Sequence, residues 1–262
     1  MSPDSPASRS SAVSLPDAPQ VVWRGPVPYQ PGLEGRYPGQ ESVLRLSGTD
    51  VEMRLCWCPP GDDVAGFWIA KHPVSRAQWT AVMGNDPSES STGPDCPVDS
   101  VSWDDAQKFC KKTGLRLPSE KEWEYACRAG TTTDFAVGEG VSLNSQLANF
   151  DGRYPWGDGV SKFNWAYRER TLPEGSFPPN AWGLHDMHGQ LWEWCEDELP
   201  GGGRVLRGGS WINLGRLAAS GRRLGFVPGD RDDGLGFRPC PRSISSQQEG
   251  PRRGRGARQV KE

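Results

Sequence analysis

The chain has 262 residues and a formal net charge of -3, with 30 Lys and Arg against 33 Asp and Glu. That length suits one domain of ordinary size with tails, and the charge balance lacks the basic excess of a general nucleic-acid binder. No apolar run approaches the roughly 20 residues that a membrane-spanning helix needs, so a soluble protein is expected. Residues 1–20, rich in Ser, Pro, Ala and Asp, cannot bury enough apolar surface to fold and are read as disordered. They show no basic region followed by an apolar run, so no secretory signal is evident and the cytoplasm is the expected location. Residues 21–45 set Trp23, Tyr29 and Tyr37 among prolines and glycines and read as an extended arm. The globular domain is expected over 46–240. The segment 241–262 carries Arg242, Arg252, Arg253, Arg255, Arg258 and Lys261 without an apolar run and reads as a disordered basic tail. Nucleic-acid binding is not expected beyond weak contact through that tail.

Within the domain three segments carry helix grammar. The first runs from Ser75 to Met83, with Ala77, Trp79 and Val82 turned inward. The second opens at the N-cap Ser102, places Asp104 and Asp105 in its first turn and Lys111 and Lys112 in its last, and stops at Gly114. Trp103, Ala106 and Cys110 share one of its faces. In the third, Ser119 and Glu122 form a capping box, Trp123, Ala126 and Cys127 make the apolar stripe, and Gly130 is the expected terminator. After Gly130 the pattern changes to glycine, proline and aromatic residues around short apolar runs. Trp182–Cys195 and Arg204–Trp211 read as short strands joined by ordered loops. Helices early and strands late predict an α+β fold. The stretch 131–182 carries few regular signals, and so long a loop is expected to be functional or pinned by specific contacts.

Seven cysteines, Cys56, Cys58, Cys96, Cys110, Cys127, Cys195 and Cys240, cannot all pair within one chain, and a cytosolic protein would keep most of them reduced. Cys56-Trp57-Cys58 lacks the spacing and the second ligand pair of a zinc site. His72, His185 and His188 lack metal-motif spacing as well.

Seven segments in order, Phe67–Trp79, Pro97–Trp103, Leu115–Ala126, Asn180–Leu184, Gly189–Trp194, Arg207–Trp211 and Leu235–Arg238, resemble the formylglycine-generating enzyme (sulfatase-modifying factor) family, a branch of the C-type-lectin fold. The resemblance covers about 64–240. It implies two main helices, short twisted antiparallel strands and long ordered loops. It also implies enzymes that oxidise a substrate cysteine to formylglycine with two copper(I)-binding cysteines, placed between the Gly-Gly-Ser and final Gly-Phe-Arg motifs. An ungapped match puts Asn213 and Ala218 at those positions, and no cysteine lies between Cys195 and Cys240. Neither an amide nor a methyl holds copper(I), which needs soft thiolates, so no copper is expected. In secreted relatives, cysteines matching Cys110 and Cys127 are structural. Here they read as buried small hydrophobes, and Cys240 falls one residue beyond the position expected for Cys110's partner. A Cys195–Cys240 site is the alternative. The turn Pro59–Asp63 and the loop Glu198–Gly203 are short for the family, which trims the rim of the site.

The resemblance further implies calcium. The family's Asn-x-x-Gly-x-x-x-Glu pattern becomes Asp186, Gly189, Leu191 and Glu193, with side-chain oxygens from Asp186 and Glu193 and carbonyls from Gly189 and Leu191. A loop held by hydrogen bonds alone is the competing reading. A second family site begins at Ala148-Asn149-Phe150. Either ion would be structural.

The segment 212–234 mixes apolar and charged side chains at neither strand nor helix spacing. In variable proteins of diversity-generating retroelements, which share the fold, this segment is the binding surface. The expected binding residues are Trp211, Ile212, Asn213, Leu214, Arg216, Leu217, Arg222, Leu224, Phe226, Asp230 and Asp232, supported from beneath by Trp192, Trp194 and Trp211. The alternative is that half of them plug the core. Another protein is the expected partner, because the face carries both charge signs and no phosphate cradle. The function read is therefore non-catalytic recognition, in one version a bacterial diversity-generating or conflict role. The alternative is a divergent formylglycine-generating oxidoreductase.

Overall fold

The computed structural model describes residues 27–28, 35–90, 93–157 and 166–242. The disorder expected over 1–20 and most of the basic tail lie outside them. Three serines start the three helices, α1 (Arg76–Met83), α2 (Trp103–Thr113) and α3 (Glu120–Arg128). Ser75, Ser102 and Ser119 each accept the N3 backbone N–H, and the N3 side chain closes a capping box in every case. Gly84 and Gly114 end α1 and α2 in the left-handed conformation. In α3 that role falls to Ala129, with φ 46°, one residue before the expected Gly130.

Strands flank these helices on both sides of the sequence. The first sheet contains β1 (Val27–Pro28), β2 (Glu41–Arg45), β3 (Glu52–Cys58) and β4 (Phe67–Ala70), in that spatial order. The arm expected over 21–45 therefore ends inside the domain: β2 pairs with β3 from Glu41↔Cys56 to Arg45↔Glu52 and buries Ser42. Strands thus precede the helices, against the expected order. A two-stranded ribbon joins β5 (Leu115–Arg116) to β10 (Cys240–Pro241). The last sheet runs β8-β7-β6-β9, from β6 (Trp192–Glu198), β7 (Arg204–Arg207), β8 (Arg223–Phe226) and β9 (Leu235–Gly236). Its strands start ten residues later than the Trp182 signal suggested, because 182–191 is a chain of turns with Gly183, Asp186, Gly189 and Gln190 at positive φ.

Three apolar clusters fill the interior. In the first, Trp79 stacks on Phe109 at 5.8 Å, and Phe237 meets both edge-on. The second packs Cys56, Cys58, Cys127, Cys195 and Cys240 around Trp123 and Trp182. The third, Phe135, Val137, Leu143, Ala148, Phe150, Ala218 and Ala219, anchors the turn-rich stretch after α3. That stretch is pinned as well by the Leu143↔Trp156 bridge and by the Asp151 N–H donated to the Asn213 carbonyl. The long loop is thus ordered by specific contacts.

Candidate functional site

The site grows from a turn. β7 ends at Arg207, and Gly208 and Gly209 follow at φ 100° and 76°. A Cβ on Gly209 would sit 3.0 Å from the Cα of Ala218, so the closeness of the two chains depends on glycine. The turn delivers Ser210, Trp211 and Asn213 above β6. The Asn213 side-chain oxygen accepts from Trp192 Nε1 at 2.6 Å, Ser210 Oγ at 2.8 Å and the Ser210 N–H at 3.1 Å. Its acceptor capacity is therefore filled. Ala218 closes a 3-10 turn over Gly215–Ala218 and is 1% exposed, its side chain in the third cluster. Its carbonyl accepts the Nδ1–H of His188 at 2.8 Å, while His188 Nε2 accepts the Ala136 N–H at 2.9 Å. Those two bonds fix the ring's tautomer, and burial lowers its pKa to about 4, so it is neutral.

One thiol, that of Cys127, reaches this hollow, at its floor. All seven cysteines are free and buried. Cys127 Sγ lies 3.7 Å from Ser220 Oγ and 3.8 Å from His188 Nε2, at the floor. Burial raises the pKa of Cys56, Cys110 and Cys127 to about 12, and raises those of Cys58, Cys195 and Cys240 too. Thiols so protected stay protonated, and the thiolate is the form that binds copper and attacks. His72 and His185, far apart in sequence, stack at 4.7 Å, but both nitrogens of His188 are already bonded elsewhere. A three-histidine iron site is not assembled.

The residues expected to hold calcium are all buried, and among the described residues no cluster of three or more His, Cys, Asp or Glu side chains that could hold a metal forms. Asp186 is buried in the left-handed conformation, and its Oδ2 has no hydrogen-bond partner. Burial raises its pKa to about 7 against the pull of Arg238. Asn149 Oδ1 is likewise buried and unpartnered, beside Phe150, while its amide donates to Gln190 and to the Arg170 carbonyl. Oxygens left in this state fit a hard cation. Gly189 donates its N–H to the Gly208 carbonyl, and its own carbonyl accepts the N–H of Leu191. Glu193 is already committed: it pairs with Arg238 through bonds of 2.7 and 2.8 Å and accepts from Trp123 Nε1 at 2.6 Å.

The 212–234 segment divides. Ile212 and Leu224 are 38% and 40% exposed, and Arg216, Arg222, Asp230 and Asp232 are exposed beside them. Leu214 is half-buried. Leu217 and Phe226 pack against the first core cluster, and Trp211 lies under the surface, stacked on Tyr167 and donating to the Asp233 carbonyl. Trp192 and Trp194 are buried below, bonded to Asn213 and to the Val101 carbonyl. Asp232 caps the N–H of Gly234. β8 lies at the edge of its sheet. Sequence reading missed the exposed Val141, Tyr154 and Trp156, of which Tyr154 and Trp156 adjoin Gly215, whose N–H the Tyr154 carbonyl accepts. The Pro155-Trp156-Gly157 turn was their only local signal.

Comparison with known proteins identifies the family and the fold. The family model described as the sulfatase-modifying factor enzyme 1-like domain matches residues 45–242. The chain is 35% identical over 211 residues to an inactive C-alpha-formylglycine-generating enzyme 2 of Bos taurus, covering 74% of this chain and 62% of that protein. It is 34% identical to a formylglycine-generating enzyme of Mycobacterium tuberculosis, again over 74% and 62%. The chain thus spans less than two thirds of these relatives. Among solved structures, Treponema denticola variable protein 1 superposes with a TM-score of 0.62 at 22% identity, covering 77% of this chain and 99% of that one. PvdO from Pseudomonas aeruginosa superposes with a TM-score of 0.58 at 25% identity, covering 79% and 99%. The α+β, C-type-lectin-like fold is therefore shared.

Proposed function

Given that the chain belongs to the sulfatase-modifying factor family, we propose that it is a non-catalytic member that recognises another protein through the face between residues 212 and 234. One observation carries this reading. Where the resemblance places the copper-binding pair, Asn213 is saturated by three donors and Ala218 is a buried methyl. No thiolate is available to hold copper(I) or to react. A mammalian relative bearing the word inactive in its name supports the same view. The face supplies exposed apolar groups, Ile212, Leu224 and Val227, between arginines and aspartates, the mixture that protein partners meet.

Calcium is part of the proposal in a structural role. At the first expected site Asp186 Oδ2 would contact an ion, with the carbonyls of Gly189 and Leu191 nearby in the chain and Glu193 acting mainly through Arg238; at the second, Asn149 Oδ1 and the Phe150 carbonyl would do so. Seven free thiols suit a reducing compartment such as the cytoplasm. Incubation with copper(I), oxygen and a cysteine-containing sulfatase peptide, read by mass spectrometry, tests the absence of catalysis. The peptide is expected to remain unmodified. Partner capture by wild type against Ile212→Glu plus Leu224→Glu tests the face, and undiminished capture by the double variant would remove it.

A further inference from the structure

A cavity elsewhere on the domain shares no lining residue with the 212–234 face. It measures about 140 Å³ and is lined by Glu52, Met53, Arg54, His72, Gln78 and Glu174, drawn from β3, the turn after β4, α1 and the loop before Phe177. At about 30 Å³ per water this space holds roughly five waters, well short of the ~300 Å³ of a drug-sized site. Its occupant must be small.

The lining selects the chemistry. The Arg54 side chain, 56% exposed, forms an ion pair with Glu41 at 3.7 Å, beyond hydrogen-bond reach, and its guanidinium donates no hydrogen bond among the described residues. Two carboxylates, Glu52 and Glu174, stand in the same wall. Glu174 is half-buried there. His72 is held by its stack on His185, whose own Nδ1 is bonded to the Phe177 carbonyl, and the Nδ1 of His72 is buried with no partner. Gln78 is fixed by the hydrogen bond its side-chain amide donates to the Glu52 carbonyl. A simple carboxylate would meet two like charges here, and a simple amine would leave Arg54 without a hydrogen-bonded anion. A molecule carrying both groups on neighbouring carbons answers both.

We propose that this cavity binds a small zwitterion, a free α-amino acid, with its carboxylate on Arg54 and its ammonium between Glu52 and Glu174. The site is independent of the recognition face, so the two readings fail separately. Ligand-observed NMR and calorimetry on the full chain, with glycine, alanine and serine as probes and acetate and ethylamine as controls, test it. Saturable binding of the amino acids alone is expected. Arg54→Ala and Glu174→Gln should each weaken it at least tenfold, whereas Leu224→Glu leaves it unchanged. Circular dichroism confirms that each variant is folded, and Glu52→Gln serves as the second carboxylate variant if Glu174→Gln is not. No saturable amino-acid binding, equal binding by ethylamine, or full affinity in Arg54→Ala overturns the assignment.

Discussion

Replacing Glu193 by glutamine isolates the buried ion pair at the centre of the domain. Glu193 and Arg238 are both 0% exposed, and the guanidinium makes five hydrogen bonds: two to Glu193 and three to the carbonyls of Ala70, Lys71 and His185. Glutamine preserves the shape and one oxygen but removes the charge, leaving a buried cation uncompensated. Removing one partner of such a pair costs about 3–5 kcal/mol. For a domain of this size that lowers the melting temperature by about 10 °C. Urea denaturation with and without a calcium chelator measures the loss and assigns its origin. Because Arg238 is the direct partner, the same loss is expected in both conditions. The double variant Glu193→Leu plus Arg238→Met should recover most of it, since two apolar side chains leave no stranded charge. A loss below about 1 kcal/mol, or one that vanishes in chelator, would refute the reasoning and make Glu193 chiefly a calcium ligand.

Other outcomes follow from the same packing. In the folded protein all seven thiols should resist a disulfide-exchange reagent at pH 8 and react together on unfolding; fast labelling of any one would expose an activated thiolate. Because the folded pKa values of Cys56, Cys110 and Cys127 rise from 9.0 to about 12, the native state holds protons that the unfolded chain releases. Their contribution to stability is thus full below pH 9 and declines as pH climbs toward 12, which alkaline denaturation curves measure. Leu224→Glu, on the exposed edge strand, should change stability by less than about 0.5 kcal/mol while abolishing partner capture, whereas Phe226→Ala should cost about 2 kcal/mol from its packing on the core. Gly209→Ala forces a Cβ against Ala218 at positive φ and should cost more than about 1 kcal/mol in urea melts.

The helices were legible because their signals are local: a serine, an acid or amide three residues on, and a terminal glycine. Only the end of α3 differed, where Ala129 takes the left-handed turn before Gly130. β2 was hidden because its partner is supplied by β3, and the prolines and glycines before it read as an arm. β3 itself alternates for three residues and then is buried on both faces, which erases the period-2 pattern. At the hollow, the missing thiol pair could be read directly, but the use made of Asn213 could not, because Trp192 lies 21 residues away. Glu193 carried a calcium pattern, while the Arg238 that neutralises it is 45 residues distant. The same holds for His72 and His185, which only the packed loops bring into register.

The most direct measurement sets this protein beside the mycobacterial formylglycine-generating enzyme in one reaction mixture of copper(I), oxygen and a cysteine-bearing peptide, followed by mass spectrometry. Product is expected from the mycobacterial enzyme and unaltered cysteine here. Catalytic conversion by this chain, with Asn213 and Ala218 in place, would contradict that expectation.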